Sequence, residues 1–290
     1  MFLFSITAFF IFILYIAWKF KISMVEAAPV GSTLLILGLY PLAFFRMLSF
    51  SDYLSAAVTG LCVFCFVRLT PGRQKELIGF VKREIVSPAT LTALVMTAVM
   101  AIGVSGKAVS WWDDYNFWAT DAKALFFLDG FAKKYTNVAA EFGDYPPGTQ
   151  LMKWWFLHFW PGEFREGLMF AGYYFLNLSF LFPLLKPLNG GEAGLETSGK
   201  GGQSERKNVR KRLPQMAAAA AVLWLFPSVA EAFWYDGCCA DLTMALVYGA
   251  FLTAVIDHKG RGRFFYYGRQ ALFLMVLVLC KNTGFLWSAF

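Results

Sequence analysis

The chain is 290 residues long, 58% hydrophobic and 19% aromatic, with 16% charged residues and a formal net charge of +7. This composition lies outside the soluble globular range and inside that of polytopic membrane proteins. Its lysines and arginines cluster in short segments between apolar runs, as in a membrane protein whose orientation they set, and no basic stripe marks a nucleic-acid surface.

Residues 2–18 are nearly all apolar and end at Lys19 and Lys21, long enough to cross ~30 Å of hydrocarbon at ~1.5 Å per residue. Without a basic leader or a small-residue cleavage site, the run reads as a retained span and not a signal peptide. Apolar runs from about Pro29 to Phe45 and from about Tyr53 to Val67 predict a second and third helix, with Arg46 between them. Arg68, Arg73, Lys75, Lys82 and Arg83 then form a basic loop, cytoplasmic by the positive-inside rule, which puts the N-terminus outside. A fourth helix, about Ala89 to Val109, runs outward and delivers the next segment to the extracytoplasmic face.

That segment, residues 111–165, is the one long polar interval that is also dense in aromatics. Asp113 and Asp114 open it, and Asp121, Lys123, Asp129, Lys133, Lys134, Glu141 and Asp144 follow before Tyr145-Pro146-Pro147-Gly148 starts another helix. The run from Thr149 to Trp160 is about a dozen residues, or ~18 Å, too short to cross. It is expected to lie against the outer leaflet with Trp154, Trp155 and Trp160 at headgroup depth.

Gly167 to Leu185 then returns inward, and a Gly-rich basic stretch at 187–213, holding Lys200, Arg206, Lys207, Arg210, Lys211 and Arg212, reads as a disordered cytoplasmic linker. Met216 to Trp234 goes out, Tyr235 to Asp241 turns outside, and Leu242 to Ile256 comes back to His258, Lys259, Arg261, Arg263 and Arg269. The last run starts at Ala271. The expected fold is an all-α, polytopic transmembrane bundle of about eight spans. It divides into N-terminal spans at 1–110, an extracytoplasmic loop with interfacial helices at 111–165, and further spans at 166–290.

Several residues carry chemistry in this frame. A helix beginning at Asp113 puts Asp114, Trp118 and Asp121 at i, i+4 and i+7 on one face, and a carboxylate at an aromatic-lined interface gains basicity from partial desolvation. Lys107, Lys123, Lys153 and Arg165 are cations near the same face, either snorkelling singly or binding a phosphate together. Glu231, Asp236 and Asp241 surround the second outer turn. Lys281, within the last apolar run, demands a partner or a cavity. His158 reads as a packing residue, no spacing suggests a zinc site, Cys62 and Cys65 read as helix packing, and vicinal Cys238 and Cys239 as free thiols or small packing residues.

The order Asp113-Asp114, aromatic juxtamembrane segment, Tyr145-Pro146-Pro147, Trp154-Trp155, Gly162 and Arg165 resembles the GT-C integral-membrane glycosyltransferases, including protein mannosyltransferases and the aminoarabinose and RgtA-like transferases. Cys239-Ala240-Asp241-Leu242 and Leu279-Cys280-Lys281-Asn282-Thr283-Gly284 look like that family's later acidic and Lys-Gly elements. The resemblance covers about Lys107 to Phe290 and implies an N-terminal fragment of a longer enzyme of the bacterial inner membrane. It implies inverting transfer of a sugar from a polyprenyl-phosphate donor to a glycan, lipid or protein acceptor outside the cell. Asp113 or Asp114 would be the base, with Lys107, Trp118, Asp121, Lys123, Tyr145, Lys153, Arg165, Asp241 and Lys281 at the substrates. Some members use a divalent cation, Mg or Mn, and others none, and the residues leave that open. The competing readings are a transporter or flippase for a lipid-linked or anionic substrate, and a non-catalytic assembly subunit; transport would call for paired broken helices or a repeat, and the sequence shows no repeat.

Overall fold

A computed structural model describes residues 2–132, 145–190, 211–223, 237–258 and 262–289. Among them lie twelve helices and no strand. The first is α1, Phe2–Phe20, which stops where Lys21 takes a left-handed φ of 52°. Next is α2, Met24–Phe44, five residues earlier than the apolar run suggested, because the Ser23 amide and hydroxyl both donate to the Glu26 carboxylate and cap the helix there. A 3₁₀ turn at Leu48–Phe50 leads into α3, Ser51–Val67.

The basic segment expected to be a loop is largely a helix, α4, Pro71–Ile85. Proline at its first position suits a helix start, and α4 buries no residue against the bundle. Its charges interrupt any apolar run; amphipathic helices of this kind lie along an interface. It bends by 56° into α5, Pro88–Val104, which is capped by the Thr90 amide donating to Ser87 Oγ.

Beyond α5 come α6, Ala119–Leu128; α7, Gly148–Leu157; and α8, Glu166–Leu181, which runs on as 3₁₀ turns through Phe182–Asn189. Residues 211–223 form α9, followed by α10, Ala240–Ile256; α11, Arg263–Cys280; and α12, Thr283–Ala289. Asn189 and Lys211, placed in the linker by the sequence, are therefore in helical turns. The rest of that linker (191–210), most of the predicted Met216–Trp234 span, Lys133, Lys134, Glu141, Asp144, Glu231 and Asp236 lie outside the described residues.

Four helices are long and apolar enough to cross a membrane, Met24–Phe44, Leu48–Val67, Glu166–Asn189 and Arg263–Cys280, and the bent α4–α5 pair makes a fifth if it acts as one. α1 and α10 are apolar but shorter. On the third helix Leu61, Phe64 and Val67 are each more than half exposed, a contiguous apolar face that water does not tolerate but a bilayer does.

Polar contacts gather at two ends of the bundle. At one, Ser5 donates to Asp52 (2.7 Å), Asp52 meets His158 Nε2 (3.4 Å), and Asp129 accepts from Ser49 N and Oγ (2.7 and 2.8 Å). At the other, the Met24 amide donates to Glu84 (2.8 Å), Lys186 pairs with Glu26 (3.2 Å), and Arg269 pairs with Asp257 (3.5 Å). The acidic, aromatic segment belongs to the first end and the basic helix α4 to the second.

α7 departs from expectation. Its length, ten residues, is indeed short of a span, but it is enclosed instead of lying on the surface. Trp154 and Trp155 are only 3% and 2% exposed, and Trp160 alone of the three is open, at 50%. Trp155 packs on Phe9 of α1 at 5.2 Å between ring centroids, and α7 also packs on α2, α6, α8 and α11. Two glycines allow this. A Cβ on Gly148 would lie 2.6 Å from the Leu279 carbonyl oxygen, and one on Gly172 of α8 would lie 2.7 Å from that of Met152. Gly148→Ala is expected to force α7 off α11 and destabilise the bundle by about 1–3 kcal/mol, measured as a lower thermal midpoint in detergent, with an unchanged midpoint refuting the close approach.

Candidate functional site

The candidate site forms where the start of the acidic segment meets α7, α8 and the turn before α10. The predicted continuous helix at Asp113 is interrupted: Asp114–Trp118 form a π-helical turn before α6 begins. Single π turns hold an extra residue at strained, often functional positions. This one separates the acidic neighbours, since Asp113 is exposed whereas Asp114 is fully buried.

Asp114 is sealed by the turn before α10. Both its carboxylate oxygens accept from the Cys238 amide at 3.1 Å, and Oδ1 also faces Cys238 Sγ at 3.3 Å. Burial raises the Asp114 pKa, opposed by the Lys153 charge and then by the Cys238 donors. Burial likewise pushes the Cys238 thiol up to about 12, so it serves as a neutral donor and not as a thiolate.

Lys153 is the hub. Its side chain is completely buried on α7, and Nζ donates to the carbonyls of Trp118 (3.2 Å) and Cys238 (2.9 Å) while facing the Tyr173 ring at 5.4 Å. It therefore neither snorkels nor stands open to a phosphate. Tyr173 and Tyr174 of α8 donate to the carbonyls of Cys239 (2.9 Å) and Gly237 (3.3 Å), so the Gly237-Cys238-Cys239 turn is held from three elements. Sequence reasoning missed Cys238, Tyr173 and Tyr174 as part of this site.

Asp121 completes the group on α6. Burial raises its pKa to about 6, against the downward pull of Lys153. Trp118 stacks on Tyr145 at 5.0 Å between ring centroids, and its buried Nε1 has no hydrogen-bond partner among the described residues. Asp241, at the first turn of α10, pairs with Lys281 at 2.6 Å. Lys281 thus has its partner, and its position is corrected. α11 ends at Cys280, and Lys281 takes an extended conformation in the break before α12, so it does not lie inside a helical span.

The remaining predicted cations stand apart from the hub. Lys107 lies over the Phe170 ring (5.0 Å) and Lys123 over that of Phe164 (5.7 Å). Arg165 stacks over Trp160 at 4.1 Å and bonds Glu163 at 3.1 Å. The structure thus brings Asp114, Trp118, Asp121, Tyr145 and Lys153 together, with Asp241 and Lys281 just beyond Cys239. It places Lys123 and Arg165 on the exposed shelf around Phe164. His158 stacks on Trp154 at 5.0 Å, and burial lowers its pKa. Among the described residues no group of three or more His, Cys, Asp or Glu side chains is placed to hold a metal ion.

The raised pKa of Asp121 has a definite sign in stability. The folded state prefers the protonated acid, so its contribution is fully present below about pH 4 and is lost as pH rises through about 6. Asp121→Asn is expected to remove that decline and to stabilise the protein at pH 7.5 by on the order of 1 kcal/mol, discounted for the water that reaches the group. Thermal midpoints of both proteins between pH 4 and 7.5 check this; parallel curves refute it.

No family model, curated protein or solved structure matches this chain.

Proposed function

We propose that the protein is a multi-pass membrane glycosyltransferase, moving a sugar from a polyprenyl-phosphate donor to an acceptor hydroxyl at the extracytoplasmic face of the bacterial inner membrane, with inversion. The full reading has about eight spans, of which α1 and α10 are the short ones. One observation carries it: within nine residues at one end of the bundle stand three carboxylates in three environments. Asp113 is open, Asp114 is sealed against Cys238, and Asp121 is lifted to about 6. Environments that drive neighbouring acids apart mark acid–base sites.

In this reading Asp113 takes the proton of the acceptor hydroxyl as its oxygen bonds to the anomeric carbon and the bond to the lipid phosphate breaks. Asp114 and Lys153 do not touch the substrates; they hold the π turn that carries Asp113. The departing phosphate, which takes the bonding electron pair, is met by Lys123 and Arg165, the exposed cations beside Phe164. Tyr145, half-buried and backed by the fully buried Trp118 ring, offers an aromatic face for a sugar ring. A lipid-borne donor must be met at the membrane, which suits a site at the end of apolar helices.

The buried Lys153 and Asp114 and the helix break at Lys281 also favour a second reading, a transporter for a lipid-linked or anionic substrate. Membranes containing the protein, given a panel of polyprenyl-phosphate sugars, separate the two. Transfer that falls by about 10²-fold or more in Asp113→Asn/Asp114→Asn supports the transferase. No transfer from any donor by the folded protein moves the assignment to transport or assembly.

A further inference from the structure

The opposite end of the bundle holds a cavity of about 420 Å³ between the C-terminal turns of α8 and the length of α10, within the ~300–1,000 Å³ of small-molecule sites. Its walls are apolar, with Phe180, Leu184, Leu246 and Phe273 among them, and one end is charged. There Lys186 reaches Glu26 at 3.2 Å and Asp257 at 4.0 Å, and Arg269 reaches Asp257 at 3.5 Å. Glu26 and Arg269 are 4% and 6% exposed, while the side chains of Lys186 and Asp257 stand at the mouth, 46% and 32% exposed, so the cluster reaches from the interior to the surface. Nothing in the proposed reaction uses it.

α10 opens the cavity sideways. Ala245, Gly249 and Thr253 lie one helical turn apart, all exposed, and a Cβ built on Gly249 meets no atom within 4 Å. A slot that is apolar along its length, small-walled on one lip and charged at one end has the form of an acyl chain with a headgroup. The charges select which headgroup. Among the described residues that line it, two cations and two carboxylates sum to zero; an anionic lipid would set its phosphate against Glu26 and Asp257 without compensation. A zwitterionic lipid carrying an ammonium matches both signs, its phosphate toward Lys186 and Arg269 and its amine toward Glu26 and Asp257. We infer that this groove binds one phospholipid with a primary-amine headgroup, phosphatidylethanolamine in chemistry, its acyl chain along α10. The inference requires only that the helices sit in a bilayer, and it is independent of the transferase reading.

The test equilibrates the protein with vesicles of equal phosphatidylethanolamine and phosphatidylglycerol, extracts it in mild detergent and counts retained lipids by native mass spectrometry. The wild type should retain the ethanolamine lipid in preference to the glycerol lipid by about fivefold or more, and Gly249→Leu, which puts a branched side chain into the slot at a position where a Cβ meets no atom within 4 Å, should retain about tenfold less of it. Leucine also favours a helix over glycine, so folding is expected to hold, and Ala245→Leu on the same lip gives a second measurement if it does not. Equal retention of both lipids, preference for the anionic one, or undiminished binding in both leucine variants of unchanged helicity would overturn the assignment.

Discussion

Lys153→Met is expected to destabilise the protein by about 3–5 kcal/mol, as breaking a buried charge network from one side does. Methionine keeps the unbranched stem and its packing in α7, so the loss isolates the ammonium. Without it the carbonyls of Trp118 and Cys238 lose their donor, and Asp114 and Asp121 lose the cation that opposes their burial. The measurement is the thermal midpoint in detergent at pH 7.5, with helicity followed by circular dichroism. Asp114→Asn/Lys153→Met should be less damaging than the two single changes added together, because it removes both members of a coupled pair. A single variant as stable as the wild type would mean that Lys153 is not the hub.

What the sequence could and could not reveal follows from which forces leave a local trace. The runs that became α1, α2, α3, α5, α8 and α10 were legible, apart from the start of α2 and the end of α5, because a long unbroken apolar run leaves a local trace that few other requirements imitate. The α2 start was misplaced because a capping box at Ser23 and Glu26 sets it, and α4 was hidden by its own charges. The pair Trp154-Trp155 has the same composition whether it anchors a helix at the headgroups or fills a core; which holds is decided by Gly148 and Gly172, which let α11 and α8 close over α7. Lys153 was invisible as a hub for a deeper reason. Its partners are backbone carbonyls 35 and 85 residues away, and a carbonyl has no residue identity for a motif to record. Asp113 and Asp114, alike in sequence, differ only because a π turn aims one at the Cys238 amide.

That difference makes the sharpest functional prediction. Asp113→Asn should leave the fold intact, since the side chain is exposed and Asp114 keeps its contacts with Cys238, while lowering sugar transfer by about 10²-fold or more through loss of the base. Asp114→Asn should do the reverse in its first effect. One of its two acceptor oxygens becomes an amide nitrogen that cannot accept from the Cys238 amide, at a cost of about 1–3 kcal/mol, and the Gly237-Cys238-Cys239 turn loosens. Its activity should fall with the fraction of folded protein and recover on cooling or with added lipid, whereas that of Asp113→Asn should not. Initial rates across pH distinguish the two further. A missing base flattens the rise of kcat/KM toward alkaline pH, while a loosened positioning residue lowers the whole curve and keeps its shape. If Asp113→Asn retains full transfer and Asp114→Asn abolishes it in folded protein with a flattened profile, then the buried carboxylate must come into the open during turnover, and the turn before α10 is the part that moves to release it.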